Sequence, residues 1–160
     1  MAVYERETRV RAPLEAVWEF HSTVGGLEAL TPEWMTLRVE SVVGPDGRPD
    51  PDVLEEGSRL RLSVRPFDAG PRRRWVSEIT ARGERDDAAY FRDEMVRGPF
   101  REWEHAHLFY RDGEGTLLRD RVAYSTPFRP ADPLLRVGFE PMFRYRHRRT
   151  REVLEGENRT

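Results

Sequence analysis

The chain has 160 residues, and its 27 Lys plus Arg against 29 Asp plus Glu give a formal net charge of −2. This length suits one domain with a substantial core or an internal pocket, and the small charge gives no general attraction to nucleic acid or to an anionic membrane. Cysteine is absent and every basic residue is Arg, which excludes disulfides, thiolate nucleophiles, cysteine-type zinc sites and a Schiff-base lysine.

The N-terminal part of the chain predicts one strand and two short helices. Residues 3–11 alternate between polar and apolar side chains, which indicates a strand, and residues 12–21 then have helical spacing. Gly25 and Gly26 are expected to break this helix before a second short helix over residues 27–30.

The central part of the chain predicts an antiparallel meander. Its apolar segments are separated by stretches rich in Gly, Pro and Asp, which are the residues that tight turns between strands require. The six predicted strands lie near Leu37–Val43, Arg59–Val64, Arg73–Ala81, Ala89–Met95, Arg101–Tyr110 and Thr116–Ser125.

The C-terminal part predicts one long amphipathic helix. Asp132 is the expected N-cap, and Pro141 is expected to kink the helix in its first third. Residues 157–160 are expected to form a frayed tail after a single domain over residues 1–156. One face of the helix carries Leu135, Phe139, Phe143, His147, Thr150 and Leu154.

Together these elements predict an α+β protein with a helix-grip fold. In this fold a seven-stranded antiparallel sheet wraps around the long C-terminal helix, and two short helices lie between strands 1 and 2. A sheet that curls around one helix leaves a cavity between them. No apolar run approaches membrane-spanning length, and the N-terminus lacks a basic-then-apolar signal, so we expect a soluble cytoplasmic protein without integral membrane association.

The most informative stretch is "EWEHAHLF", because it places two histidines between aromatic residues at every second position. Trp103, His105, His107 and Phe109 would all point to one face of a strand. A hairpin loop over residues 98–100 would place Asp93 opposite His105 and Phe91 opposite His107.

The next hairpin would place Asp120 opposite His107 and Tyr124 opposite Trp103. Three interpretations of this polar row remain open. It is a structural hydrogen-bond network, a row that orients a bound molecule, or a metal or acid–base site made of two histidines and two carboxylates.

Other polar residues have simpler explanations. His21 is expected to bond a carbonyl at the end of the first helix, or to line the cavity mouth with Leu30, Pro32 and Trp34. His147 shares a helical stripe with Phe143 and Leu154, so it is expected to face the cavity or to lie at the boundary of the long helix, and the boundary is favoured. The arginine-rich stretches at residues 72–74 and 144–151 are interpreted as solvated faces, so no nucleic acid partner is expected.

Four stretches of the sequence resemble the START-related SRPBCC superfamily, and most closely its polyketide cyclase/dehydrase-like, ligand-binding branch. The resemblance extends from about Tyr4 to Leu154 and is carried by "APLEAVWEFHSTVGGLEALTPEW", "FRDEMVRGPFREWEHAHLF", "GTLLRDRVAYSTP" and "FRYRHRRTREVL". It implies the helix-grip fold and a hydrophobic ligand cavity. It does not by itself specify the chemistry.

We therefore expect the protein to bind a small hydrophobic molecule, such as a lipid, a quinone or a polyketide-like compound. The alternatives are a cyclase or dehydratase that uses a His–Asp pair as general base, and an adaptor or chaperone for a macromolecular partner, including an epimerase-like enzyme. No catalytic residue, metal or cofactor is assigned. The expected ligand-binding residues are Asp93, His105, His107, Asp120, Trp103, Phe91, Met95, Tyr124, His21, Leu30, Trp34 and Phe143.

Overall fold

Seven antiparallel strands form a single sheet in the computed structural model, which describes residues 1–157. The strand order is β1-β7-β6-β5-β4-β3-β2, so all neighbours except β1 and β7 are consecutive in the chain. This confirms the predicted meander. The strands are β1 Ala2–Val10, β2 Arg38–Val43, β3 Arg59–Val64, β4 Arg73–Glu84, β5 Ala88–Arg97, β6 Glu102–Asp112 and β7 Gly115–Ser125.

Three α-helices complete the helix-grip fold: α1 Leu14–His21, α2 Val24–Ala29 and α3 Asp132–Glu157. The prediction that Gly25 and Gly26 separate the two helices is wrong, because α1 ends at His21 and both glycines lie inside α2. Thr23 caps this helix by accepting a hydrogen bond from the Gly26 amide at 3.0 Å. Short 3₁₀ turns lie at Glu33–Met35, Pro66–Asp68 and Arg129–Ala131.

The start of α3 also differs from the prediction. Asp132 is already helical, and its Oδ1 accepts hydrogen bonds from the backbone and hydroxyl groups of Thr126 instead of capping α3. Pro141 lies inside the helix as expected. Glu157 is the last residue of α3, and the rest of the predicted tail, residues 158–160, lies outside the described residues.

Irregular pairing accompanies the curvature of the sheet around α3. Register shifts occur between β2 and β3 at Val39/Ser41, and between β4 and β5 at Val76/Ser77 and Ile79/Ala81. Such bulges bend a strand and increase its local twist. The inner face packs against α3, where Val122 and Tyr124 of β7 share a buried cluster with Phe139 and Phe143.

The inner face buries two separate apolar clusters. One surrounds Trp18 and Phe109 near α1, and the other surrounds Tyr124 and Phe139 near the start of α3. Along β6, Trp103 contacts the second cluster and Phe109 belongs to the first, so His105 and His107 lie between the two. Within residues 1–157, no helix has both the length and the apolar character needed to cross a bilayer.

Candidate functional site

The two histidines of β6 point inward, as their alternation with Glu104 and Ala106 predicts. His105 and His107 are 7% and 4% exposed. Both predicted hairpin registers are confirmed, because Asp93 pairs with His105 and Asp120 with His107. The period of two along each strand was therefore sufficient to place four ionisable side chains on one inner face.

Asp120 lies at the centre of a cluster of three imidazoles. Its Oδ1 accepts a hydrogen bond from Nε2 of His105 at 2.7 Å, and its Oδ2 accepts one from Nε2 of His147 at 2.6 Å. Nδ1 of His107 lies 3.3 Å from Oδ1 without forming a hydrogen bond. His147 is 1% exposed, so its assignment to the helix boundary is wrong.

Asp93 forms the second half of the cluster. Its Oδ2 accepts a hydrogen bond from Nε2 of His107 at 2.9 Å, and its Oδ1 accepts one from the Ser77 hydroxyl at 3.2 Å. Nδ1 of His105 lies 3.9 Å from the same Oδ2. His107 therefore lies between two carboxylates.

Opposing effects of burial and pairing set the charges in this cluster. Burial would raise the pKa of Asp120, but the bonds from His105 and His147 and the proximity of His107 hold it well below its ordinary value. Burial would also raise the pKa of Asp93, but the hydrogen bonds from His107 and Ser77 and the electrostatic effect of the two imidazoles together lower it. Burial also lowers the pKa of His105, whereas Asp120 and Asp93 raise the pKa of His107 despite its burial. Both carboxylates are therefore ionised and accept hydrogen bonds only.

His21 lies at the end of α1 and combines both of the roles considered for it. Its Nδ1 donates to the Val17 carbonyl at 2.8 Å, and its ring contacts Phe109 edge-on. It also lines the cavity described next. Burial lowers its pKa to about 3, so the ring is neutral over the physiological range.

A cavity of about 470 Å³ lies between the sheet, α2, α3 and the turn that contains Trp34. Its wall is mostly apolar, and its ionisable groups include Asp93, His105, His107 and Arg146. Apolar wall residues include Leu27, Leu30, Trp34, Leu60, Leu62, Trp75, Ile79, Phe91, Trp103, Phe139, Met142 and Phe143.

Most residues predicted to contact a ligand line this cavity, and two do not. Asp120 is 2% exposed and lies behind the imidazoles, where it orients them. Tyr124 is fully buried, and its hydroxyl donates to the Asp132 carbonyl at 2.7 Å. The residues that line the cavity are Asp93, His105, His107, Trp103, Phe91, Met95, His21, Leu30, Trp34 and Phe143.

Sequence reasoning missed three polar residues of the site. Ser77 follows the inward alternation of β4 with Trp75 and Ile79, a pattern that could have identified it. His147 shares its helical stripe with Phe143, which placed it on the inner face of α3. Arg146 lay within a stretch interpreted as solvated, yet it lines the cavity and its Nε is buried without a hydrogen-bond partner in residues 1–157.

Comparison with known families gives one match over most of the chain. Residues 10–149 match the family described as "Polyketide cyclase / dehydrase and lipid transport". No curated protein matches the chain significantly.

Solved structures share the fold at low sequence identity. A protein of Thermus thermophilus is 22% identical with a TM-score of 0.59, over 98% of this chain and 99% of that one. Norcoclaurine synthase from Thalictrum flavum, solved in complex with dopamine and hydroxybenzaldehyde, is 16% identical with a TM-score of 0.65, over 96% and 87%.

A nucleoside-diphosphate sugar epimerase from Corynebacterium glutamicum is 24% identical with a TM-score of 0.64. The similarity covers 98% of this chain but only 30% of the epimerase. These likenesses establish the START-like helix-grip fold, and the family match covers both the cavity and the histidine cluster. The chain therefore belongs to the polyketide cyclase/dehydrase and lipid transport family of the SRPBCC superfamily.

Proposed function

We propose that the protein binds a small, largely apolar molecule with at least one hydrogen-bonding oxygen inside the cavity. The observation that carries the proposal is the contrast between a mostly apolar wall and a compact cluster of polar side chains on it. One side-chain nitrogen or oxygen atom from each of Asp93, His105 and His107 lies within 4.8 Å of the other two on that wall. Ligand pockets typically combine apolar surface with a few such groups that fix orientation.

The volume of the cavity and the aromatic residues on its wall favour a planar or aromatic ligand. A volume of 470 Å³ lies within the usual range of about 300 to 1,000 Å³ for small-molecule sites. Trp34, Trp75 and Trp103 supply flat apolar surfaces around it. The aromatic molecules bound by norcoclaurine synthase, both of which carry hydroxyl groups, are of the same chemical class.

A titration with 2-naphthol, a neutral aromatic alcohol, tests the proposal through quenching of tryptophan fluorescence. Gly138 lines the cavity, and a Cβ added there would meet no heavy atom within 4 Å, so Gly138→Phe adds bulk at the cavity wall from a position where the new Cβ does not clash. This variant is expected to weaken binding by roughly tenfold or more, which corresponds to about 1.4 kcal/mol. Equal affinity of wild type and variant would contradict binding in this cavity.

Gly156→Phe is the matched control. Gly156 lies on the same helix, also has open space around an added Cβ, and does not line the cavity. It is expected to bind 2-naphthol as the wild type does. Native mass spectrometry of protein from its own host would identify the natural ligand as an added mass that denaturation releases.

Cyclisation or dehydration of a polyketide-like substrate is the second candidate function. The pair formed by His105 and Asp120 favours it, because Nε2 of His105 is bonded to the Asp120 carboxylate while Nδ1 on the cavity wall stays free to move a proton next to a carbonyl group. His105→Gln should then abolish turnover of a poly-β-keto substrate while 2-naphthol still binds. Turnover that persists in this variant would rule out the pair as the base.

A further inference from the structure

Three possible metal ligands meet on the cavity wall. Asp93, His105 and His107 each offer one ligand atom within 4.8 Å of the other two, and Oδ2 of Asp93 is close to Nδ1 of His105 and to Nε2 of His107. Oδ2 lies 2.9 Å from Nε2 of His107 and 3.9 Å from Nδ1 of His105. Ligand atoms around a tetrahedral Zn²⁺ lie roughly 3.4 Å apart, given bonds of about 2.0 to 2.1 Å. The distances of 2.9 Å and 3.9 Å from Oδ2 of Asp93 lie on either side of this ligand–ligand distance, so small side-chain movements would suffice to bind the ion.

Nδ1 of His105 is available as a ligand atom. His105 donates from Nε2 to the ionised Asp120, so the neutral ring carries its lone pair on Nδ1. Within residues 1–157, Nδ1 forms no hydrogen bond, and Oδ2 of Asp93 lies 3.9 Å from it. A buried imidazole nitrogen without a partner on a cavity wall is an unused electron-pair donor.

The residues behind these three ligands have the arrangement that metal-binding histidines usually need. Asp120 accepts from Nε2 of His105 and lies 3.3 Å from Nδ1 of His107, so one carboxylate faces the far nitrogen of both rings. His147 donates a hydrogen bond to Oδ2 of Asp120, and the Ser77 hydroxyl donates one to Oδ1 of Asp93. Carboxylates in this position fix the tautomer of a ligating histidine and raise its basicity.

The charge of the cluster also suits a divalent cation. Asp93 and Asp120 supply two negative charges in a buried volume, and the chain places no Lys or Arg within hydrogen-bond distance of either carboxylate among residues 1–157. Phe91 stacks on His107 at 3.9 Å between ring centres, and Phe143 contacts His105 edge-on. These rings limit water around the ligands and strengthen the electrostatic attraction.

From this geometry we propose that Asp93, His105 and His107 bind one divalent transition-metal ion of the Zn²⁺ class. The ion takes the place of the proton on Nε2 of His107, which is released to solvent, and its remaining positions open into the cavity. Three protein ligands with an open position are typical of catalytic, not structural, zinc sites, and an ion so placed polarises an oxygen of a bound molecule. The site goes beyond small-molecule binding and does not depend on it.

The test uses full-length, tag-free protein that has been treated with a chelator and then titrated with Zn²⁺ by calorimetry near neutral pH. One ion per chain is expected for the wild type. Asp93→Asn, which removes the only anionic ligand, should weaken binding by more than about 100-fold. Asp120→Asn, which leaves the three ligands in place, should weaken it by about 10- to 100-fold.

Glu94→Gln is the control, because Glu94 neighbours Asp93 on β5 but belongs to the opposite face of the sheet, where it pairs with Glu104. It should bind Zn²⁺ as the wild type does. Circular dichroism confirms that each variant is folded. No binding by the wild type, or equal binding by a folded Asp93→Asn variant, overturns the proposal.

Co²⁺ supplies a second measurement that needs no variant. In the wild-type complex, two exchangeable N–H protons with large paramagnetic shifts are expected, from Nε2 of His105 and Nδ1 of His107. A Co²⁺ complex without shifted histidine signals places the ion elsewhere and overturns the proposal. Titrating 2-naphthol into the same chelator-treated protein before Zn²⁺ is added distinguishes failure of the metal site from failure of ligand binding.

Discussion

Nε2 of His147 on α3 donates a hydrogen bond to Oδ2 of Asp120 on β7 at 2.6 Å, and both side chains are almost completely buried. This bond joins the C-terminal helix to the inner face of the sheet. It also fixes the carboxylate that orients His105. The same contact therefore holds the fold together and sets the tautomer of a ring on the cavity wall.

His147→Leu should lower the free energy of unfolding by about 1 to 3 kcal/mol, because it leaves one oxygen of a buried carboxylate without a donor. Urea denaturation measures this loss. Arg148→Leu is the control, since Arg148 is exposed and forms an i,i+4 ion pair with Glu152. That pair is expected to contribute less than about 1 kcal/mol. Similar losses in the two variants would show that the buried bond does not stabilise the fold.

The buried, neutral state of His21 predicts that the protein loses stability in mild acid. Its pKa is about 3 in the folded protein and about 6.5 in the unfolded chain. Between these values the unfolded chain binds the extra proton, so stability falls as the pH falls. Protonation of His21 in the unfolded chain alone should lower the free energy of unfolding by up to about 1.4 kcal/mol for each pH unit. Urea denaturation at a series of pH values measures the slope.

His21→Gln isolates this contribution. Burial lowers the pKa of His105 as well, so His105 also makes the free energy of unfolding fall as the pH falls. This contribution is the same in the wild type and in His21→Gln. Arg146, Asp120 and His107 are the charged or titratable groups that act on His21, and the variant retains all three. The wild-type slope below about pH 6 should exceed that of the variant by about 1.4 kcal/mol per pH unit. Parallel pH profiles would mean that His21 does not titrate as a buried group.

The polar row was predictable because strand geometry is local. Alternation placed His105 and His107 on one face, and the lengths of two hairpins placed Asp93 and Asp120 opposite them. Neither inference needed information about distant parts of the chain. The inward direction followed because the other face carries charged residues.

The role of His147 was not predictable in the same way. Helical periodicity identifies the stripe that contains Phe143 and His147, but it does not specify which residue of the stripe meets which strand. That depends on how α3 is rotated and shifted against β7, which only tertiary packing decides. Asp132 shows the same limit, because its carboxylate binds Thr126 across a turn instead of capping its own helix.

Gly25 and Gly26 illustrate a different limit, and they yield a matched pair of variants. A Cβ added at Gly26 would lie 1.9 Å from the Phe20 carbonyl oxygen, whereas at Gly25 its nearest contact would be Thr23 Oγ1 at 3.8 Å. Gly26 is thus required by the close approach of α2 to α1, a contact that helix propensity does not encode. Gly26→Ala should destabilise the protein by about 1 to 3 kcal/mol, because the backbone of α1 or α2 must move to make room for the methyl group.

Gly25→Ala should be neutral or stabilising by up to about 1 kcal/mol, because alanine is the better helix former and the space is open. Thermal and urea denaturation of the two variants compare them directly. Since Gly26 also lines the cavity, Gly26→Ala should in addition weaken 2-naphthol binding, whereas Gly25→Ala should not. Equal stabilities would indicate that the two helices separate at little cost.

Arg82 on β4 links α1 to the segment before β3, and its removal should loosen that connection. Its guanidinium lies 4.2 Å from the centre of the Trp18 ring, and Nη1 donates to the Ser22 hydroxyl at 3.0 Å and to the Leu54 carbonyl at 3.2 Å. Arg82→Met keeps an apolar stem but loses both hydrogen bonds and the cation–π contact. The expected loss is about 1 to 3 kcal/mol of unfolding free energy.

Hydrogen exchange locates the effect of Arg82→Met. The Leu54 amide donates to the Ser22 carbonyl at 2.8 Å, next to both of the groups that Arg82 binds, so its exchange should accelerate more than that of amides in β6 and β7. Arg74→Met is the control, because Arg74 lies on the same strand and forms an exposed ion pair with Glu40. It should leave Leu54 exchange unchanged and cost less than about 1 kcal/mol. If Leu54 exchanges equally fast in both variants, Arg82 does not hold this segment in place.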